Sequence, residues 1–200
     1  MKKNKIFVAC DSTNISKVKK IIKETNNSKL KIGYKFGLEF LNSKNGRNFI
    51  SKLKNKIIFA DLKLHDIPNT CVSAVKAIKD LKINYLTIHI SSGLKALSLV
   101  KKVSGRTKLV GVTILTSLDN KTLKQIGFNK DVKKLVLHQA KLAAKAKLDA
   151  IVCSAQEVDI VKKIFKKEII TPGIRFNSKN NDQKRTLTPK QAFKNGSNWL

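Results

Sequence analysis

The stretch Ile57-Ile58-Phe59-Ala60-Asp61-Leu62-Lys63-Leu64-His65-Asp66-Ile67-Pro68-Asn69-Thr70 decides the fold. Its first part is short, apolar and rich in β-formers, which predicts a strand over 57–62 buried on both faces. From Thr70 onward the period changes. Val72, Val75, Ile78 and Leu81 fall three residues apart on one helical stripe, so a helix is expected over 70–81. A doubly buried strand followed by an amphipathic helix is the unit of a parallel sheet wrapped by helices.

The same unit recurs on both sides of this stretch. Strands are expected at 6–10, 30–35, 85–89, 109–113, 150–153 and 169–171, and helices at 16–25, 46–53, 94–103, 132–146 and 156–165. Thr188 followed by Pro189 reads as a capped helix start, and Asn195-Gly196 as its end. Ser197-Asn198-Trp199-Leu200 would then enter an eighth strand. Seven strand-helix units and the start of an eighth predict an α/β fold, a (β/α)8 TIM barrel truncated within its eighth strand. One domain spanning 1–200 is expected, lacking the end of strand 8 and helix 8, with unpaired edges that would weaken it. The longest irregular stretch, 172–187, has the length of a functional lid or binding loop.

Reactive groups in such a barrel come from the C-terminal ends of strands. In order, those ends carry Asp11, Lys35, Asp61 with Lys63 and Asp66, His89, the segment 113–117, Ser154, and 172–175. Asp61 and Lys63 are two apart, so in extended chain both point to one side and can face the mouth. Carboxylates and ammonium groups packed there would shift and position one another, and could set an ammonium proton beside a developing carbanion. An isolated Asp-x-Lys-x-x-Asp reads more simply as a salt-bridged strand end; its place at the mouth of a barrel favours chemistry. Thr171-Pro172-Gly173-Ile174-Arg175 could hold an anion, since loops after the last strands of such barrels often bind phosphate. Taken alone it is a tight turn with a surface Arg. Gly33, Gly37 and Gly93 form no nucleotide-binding glycine loop.

Composition narrows the function classes. Lys+Arg number 42 against 13 Asp+Glu, a net charge of +29. Only Arg47, Arg106, Arg175 and Arg185 are arginines, and the lysines spread over nearly every predicted helix. Nucleic-acid readers concentrate charge on one face and use Arg forks, so a compositional bias toward Lys, Asn and Ile explains the charge better. The 42% hydrophobic content excludes a disordered chain. Cys10, Cys71 and Cys153, an odd and scattered set, fit a reducing compartment. His65, His89 and His138 lie too far apart for a local metal motif. Asp11 ends the first apolar run too early for a signal peptide, and no stretch could span a membrane. A cytoplasmic location with no membrane partner is expected, and Met1 so close to the first strand suggests a stand-alone chain.

The segment 59–70 resembles the signature of the orotidine 5'-phosphate decarboxylase family. Further matches fall in that family's order: Val8-Ala9-Cys10-Asp11, Lys35-Phe36-Gly37-Leu38-Glu39, Val112-Thr113-Ile114-Leu115-Thr116-Ser117, Val152-Cys153-Ser154-Ala155-Gln156-Glu157, Thr171-Pro172-Gly173-Ile174-Arg175 and Asp182-Gln183-Lys184-Arg185. The likeness is to the short bacterial-type form. It implies decarboxylation of orotidine 5'-monophosphate to UMP without cofactor or metal. Lys63 would protonate C6 as CO2 leaves, Asp61 would face the substrate carboxylate, and Lys35, Asp61, Lys63 and Asp66 would form an alternating charge array. Asp11 and Lys35 would hold ribose hydroxyls, Thr116 or Ser117 the pyrimidine edge, and Pro172, Arg175 and Gln183 the phosphate side. Asp66, Ile67 and Thr70 would reach a neighbouring subunit, which implies a homodimer.

The family continues past the position of Trp199-Leu200 to a Gly-Arg that binds phosphate, so a fragment is expected here. Two rival readings stand beside this one. A sugar-phosphate decarboxylase or hexulose-phosphate synthase of the same superfamily would use Mg2+, against which the Ile67-Pro68-Asn69-Thr70 and Pro172 to Arg175 segments argue. A noncatalytic basic barrel would bind nucleic acid in a salt-dependent way.

Overall fold

The computed structural model describes residues 4–26, 29–174 and 187–200. Seven strands, β1 (Lys5–Ala9), β2 (Lys31–Gly37), β3 (Ile57–Leu64), β4 (Tyr85–His89), β5 (Lys108–Val112), β6 (Ala150–Val152) and β7 (Glu168–Ile170), pair in chain order, every neighbour parallel. Around them run α1 (Ile15–Thr25), α2 (Leu38–Leu41), α3 (Gly46–Ser51), α4 (Pro68–Ala77), α5 (Gly93–Val103), α6 (Asn120–Gln125), α7 (Val132–Lys145), α8 (Val158–Ile164) and α9 (Pro189–Asn195). The order is that of the barrel read from the sequence.

The predicted ends of α9 are present. Thr188 caps it reciprocally with Gln191, Pro189 sits in the first turn, and Gly196 closes it in the left-handed region at φ 107°. Residues 198–200 then take the eighth position. The Asn198 and Trp199 N–H groups donate to the Ile169 carbonyl at 2.8 and 3.2 Å, and the Thr171 N–H donates to the Trp199 carbonyl at 3.0 Å. On the other side the Phe7 N–H donates to the Leu200 carbonyl at 2.8 Å, and the Leu200 N–H to the Lys5 carbonyl at 3.1 Å. Three residues thus join β7 to β1, so the lower part of the seam is paired where open edges were expected.

Three details differ from the sequence reading. The helix expected at 70–81 starts at Pro68 and breaks at Ile78, with a 3-10 turn over Lys79–Leu81, because proline is well suited to the first helical position. The short α2 and α6 were not anticipated, since four and six residues hold too few turns to show a period. β1 is only partly covered, whereas residues 85–88 of β4 are all buried.

Alternation within each strand builds the barrel interior in layers. At the N-terminal end, the Glu168 carboxylate accepts from Lys108 at 2.9 Å, the Tyr85 hydroxyl at 2.9 Å and Lys5 at 3.4 Å. Above it Phe7 stacks on Trp199 with ring centroids 4.1 Å apart and meets Phe59 at 4.7 Å. Val110, Ala150 and Ile170 complete that layer. Gly33 faces it too: a Cβ there would stand 2.5 Å from the Phe7 ring, so the aromatic layer requires glycine. A larger core, including Phe36, Leu86, Leu97 and Val136, lies between sheet and helices. Among the described residues no helix is long and apolar enough to cross a membrane.

Candidate active site

Above the aromatic layer the interior turns polar, and the strands deliver the charges in order. Asp11 follows β1, Lys35 lies on β2, and Asp61 and Lys63 lie on β3. Lys35 Nζ is 3.1 Å from Asp11 Oδ1 and 3.7 Å from Asp61 Oδ2. Lys63 Nζ lies 2.8 Å from that same Asp61 oxygen. The result is a continuous series, Asp11, Lys35, Asp61, Lys63, with signs alternating. Gly37 leaves room for it, since a Cβ there would be 3.3 Å from Asp11 Oδ1.

Asp61 and Lys63 share a side, as their spacing predicts, but plain pleating is not the whole cause. Ala60 pairs with Leu86 and Leu64 with Ile88, so three residues of β3 stand opposite the single Thr87 of β4. This bulge carries Lys63 into the left-handed region, φ 48°, a conformation that costs a residue with a Cβ. Thr87, fully buried, fills the interrupted ladder. Its hydroxyl accepts the Lys63 N–H at 2.7 Å and donates to Asp61 Oδ1 at 3.0 Å. No sequence motif marked Thr87.

Around the cluster, the His65 and His89 rings lie 5.2 Å apart and Ser91 Oγ sits 3.3 Å from His65 Nε2. Burial, reinforced by His65 and Lys63, lowers the His89 pKa and favours its neutral form. Burial, with the Asp11 charge beside it, pushes the Cys10 thiol up to about 11, so Cys10 is no nucleophile at neutral pH.

The other expected residues are placed as follows. Asp66 stands beyond β3, exposed, with its Oδ1 accepting the Ile67 N–H at 2.7 Å; among the described residues it makes no ion pair with the cluster. Ile67 is 67% exposed and Thr70 lies exposed in the first turns of α4. Thr116 is buried and Ser117 exposed on the turn after β5, and Pro172 is half-buried after β7. Arg175 and Gln183 fall outside the described residues, as does most of the expected lid. A groove of about 790 Å3 on the barrel's outer wall is lined by Lys19, Lys23, Phe49, Lys52 and Leu53 and by none of the cluster, so cavity size does not mark this site. Among the described residues no three His, Cys, Asp or Glu side chains gather as a metal-binding group.

Residues 4–200 match the model of the orotidine 5'-phosphate decarboxylase / HUMPS family. The chain belongs to this family. The orotidine 5'-phosphate decarboxylase of Wolbachia sp. subsp. Brugia malayi is 44% identical over 206 residues, which cover 98% of this chain and 89% of that protein. The enzyme of the same name from Carboxydothermus hydrogenoformans is 41% identical, covering 98% and 86%. Among solved structures, the orotidine 5'-phosphate decarboxylase of Lactobacillus acidophilus superposes with a TM-score of 0.83 at 30% identity, covering 99% of this chain and 88% of the other. The family's barrel is also shared with the Methanocaldococcus jannaschii orotidine 5'-monophosphate decarboxylase solved with the inhibitor BMP, TM-score 0.78 at 21% identity, a likeness of fold. Membership in the orotidine 5'-phosphate decarboxylase family therefore rests on the whole described barrel and not on the 59–70 segment alone.

Proposed function

We propose that this chain decarboxylates orotidine 5'-monophosphate to UMP and CO2 in pyrimidine biosynthesis, as one barrel domain working in the cytoplasm. The observation that carries this reading is the alternating series Asp11, Lys35, Asp61, Lys63 at the mouth, within a chain of this family. In the reaction the bond from C6 to the carboxylate carbon breaks, CO2 leaves, and the electron pair stays on C6. Lys63 gives its ammonium proton to that carbon and regains one from solvent. Asp61, held between two ammonium groups, faces the departing carboxylate, so charge repulsion eases as CO2 forms. A preoriented ammonium stabilises the developing carbanion without reorganising. Asp61 Oδ2 already faces both Lys63 and Lys35, an arrangement that favours proton transfer over Mg2+ binding at this carboxylate.

Asp11 and Lys35 would hold the ribose hydroxyls, Thr116 or Ser117 the base, and Pro172, Arg175 and Gln183 the phosphate. Binding energy from a phosphate remote from C6 then lowers the chemical barrier. Asp66, Ile67 and Thr70 would complete the site of a second copy. Their exposure, with an apolar Ile67 and an Asp66 outside the local charge series, supports a homodimer.

The test follows the absorbance of orotidine 5'-monophosphate with the purified chain, with UMP and CO2 measured as products. One CO2 per UMP, unaffected by EDTA, is expected. Loss of activity in EDTA would point to the Mg2+-dependent relatives. Salt-sensitive binding to unrelated DNA without decarboxylation would point to a basic scaffold.

A further inference from the structure

We propose that Thr87 is a positioning residue for this reaction, a role that rests on the decarboxylase reading above. The bulge in β3 sets three residues against one and leaves the ladder there without its regular bonds. Thr87 supplies what is missing from its side chain. By accepting the Lys63 N–H at 2.7 Å it holds the left-handed backbone on which Lys63 projects. By donating to Asp61 Oδ1 at 3.0 Å it fixes the carboxylate so that the other oxygen, Oδ2, faces Lys63 and Lys35. One fully buried hydroxyl therefore sets both the proton donor and the carboxylate beside it, without itself reaching substrate. Its β-branched Cβ also suits the strand, so the position serves packing and alignment together. A hydrogen bond to a charged group in a water-poor interior is among the stronger ones, and its loss leaves the Lys63 N–H without a partner.

The decisive comparison is Thr87→Val, which keeps the shape and removes the hydroxyl, against Thr87→Ser, which keeps the hydroxyl. In Thr87→Val kcat is expected to fall by about tenfold to a hundredfold, with KM within about threefold of wild type. Thr87→Ser should retain most of kcat. Should the valine variant not fold, Thr87→Cys, with its weak thiol donor, carries the same comparison. A second readout needs no turnover: labelling of Lys63 by an amine-reactive reagent, read by peptide mass spectrometry, should quicken several-fold in Thr87→Val and little in Thr87→Ser. Wild-type kcat in Thr87→Val, a change confined to KM, equal damage in the serine variant, or unchanged labelling would each overturn the role. If wild type itself leaves orotidine 5'-monophosphate intact, the functional reading fails, and the labelling still decides whether Thr87 orders the lysine.

Discussion

The two ends of the barrel interior each hold a cluster of Lys and acidic side chains, and they are built to opposite designs. At the floor one carboxylate, Glu168, is surrounded by donors from Lys5, Lys108 and the Tyr85 hydroxyl, capped above by the Phe7–Trp199 stack. At the mouth two carboxylates and two ammonium groups alternate, and the last, Lys63, keeps a third of its side chain open to the outside. At the floor all three donors converge on the single Glu168 carboxylate, and Lys108 keeps 44% of its side chain exposed. At the mouth charges of the two signs balance two against two, and the Asp61 carboxylate is shared between Lys35 and Lys63. The chemistry proposed for the mouth therefore rests on a carboxylate shared by two ammonium groups, not on exposure, which Lys108 at the floor matches.

Mutations at the two ends should therefore separate cleanly. Lys63→Ala is expected to lower kcat by more than about a thousandfold while the protein still folds. A variant with wild-type-like kcat would remove the mouth from the mechanism. Glu168→Gln should do the reverse, costing about 2 kcal/mol of stability, a midpoint drop of roughly 4–8 °C, with kcat little changed. Calorimetry beside a turnover assay checks both.

A smaller effect follows from acid. Burial alone would raise the Glu168 pKa, but the hydrogen bonds from Lys108 and Tyr85 and the nearby Lys5 outweigh it and hold the carboxyl below the usual 4.5. A depressed pKa means that the group's contribution is complete above its unfolded value and is lost as pH falls through the folded one. The stability gap between wild type and Glu168→Gln should narrow below about pH 4.5, as denaturant midpoints at a series of pH values would show. The smallest effect belongs to the solvated helix faces: Lys20→Ala, which breaks an exposed pair with Glu24, should shift stability by less than about 0.5 kcal/mol. A larger shift would mean that the lysine surface contributes to the fold beyond its composition.

The mouth was largely legible in the sequence and the floor was not. Asp61 and Lys63 announce themselves by their spacing and by their place at a strand end, and the α9 cap is read directly because Thr188, Pro189, Gln191 and Gly196 act on one another locally. Lys5, Lys108 and Glu168 sit on three different strands, and in a chain of net charge +29 two more lysines carry no contrast. Thr87 was hidden for the same reason. It reads as an ordinary β-branched strand residue, and its meaning depends on the register of β4 against a bulge in β3, a long-range pairing that local pattern does not reveal. The bulge also means that the right placement of Lys63 was predicted from alternation, whereas a left-handed turn produces it.

The most direct test of the mouth cluster is the isotopic content of the product formed in D2O. Wild type should convert orotidine 5'-monophosphate to UMP carrying one non-exchangeable deuterium, at C6, delivered from the Lys63 ammonium, while Lys63→Ala forms no such product above the uncatalysed background. Unchanged substrate with the wild-type chain, or deuterated UMP formed as fast by Lys63→Ala, would contradict the account.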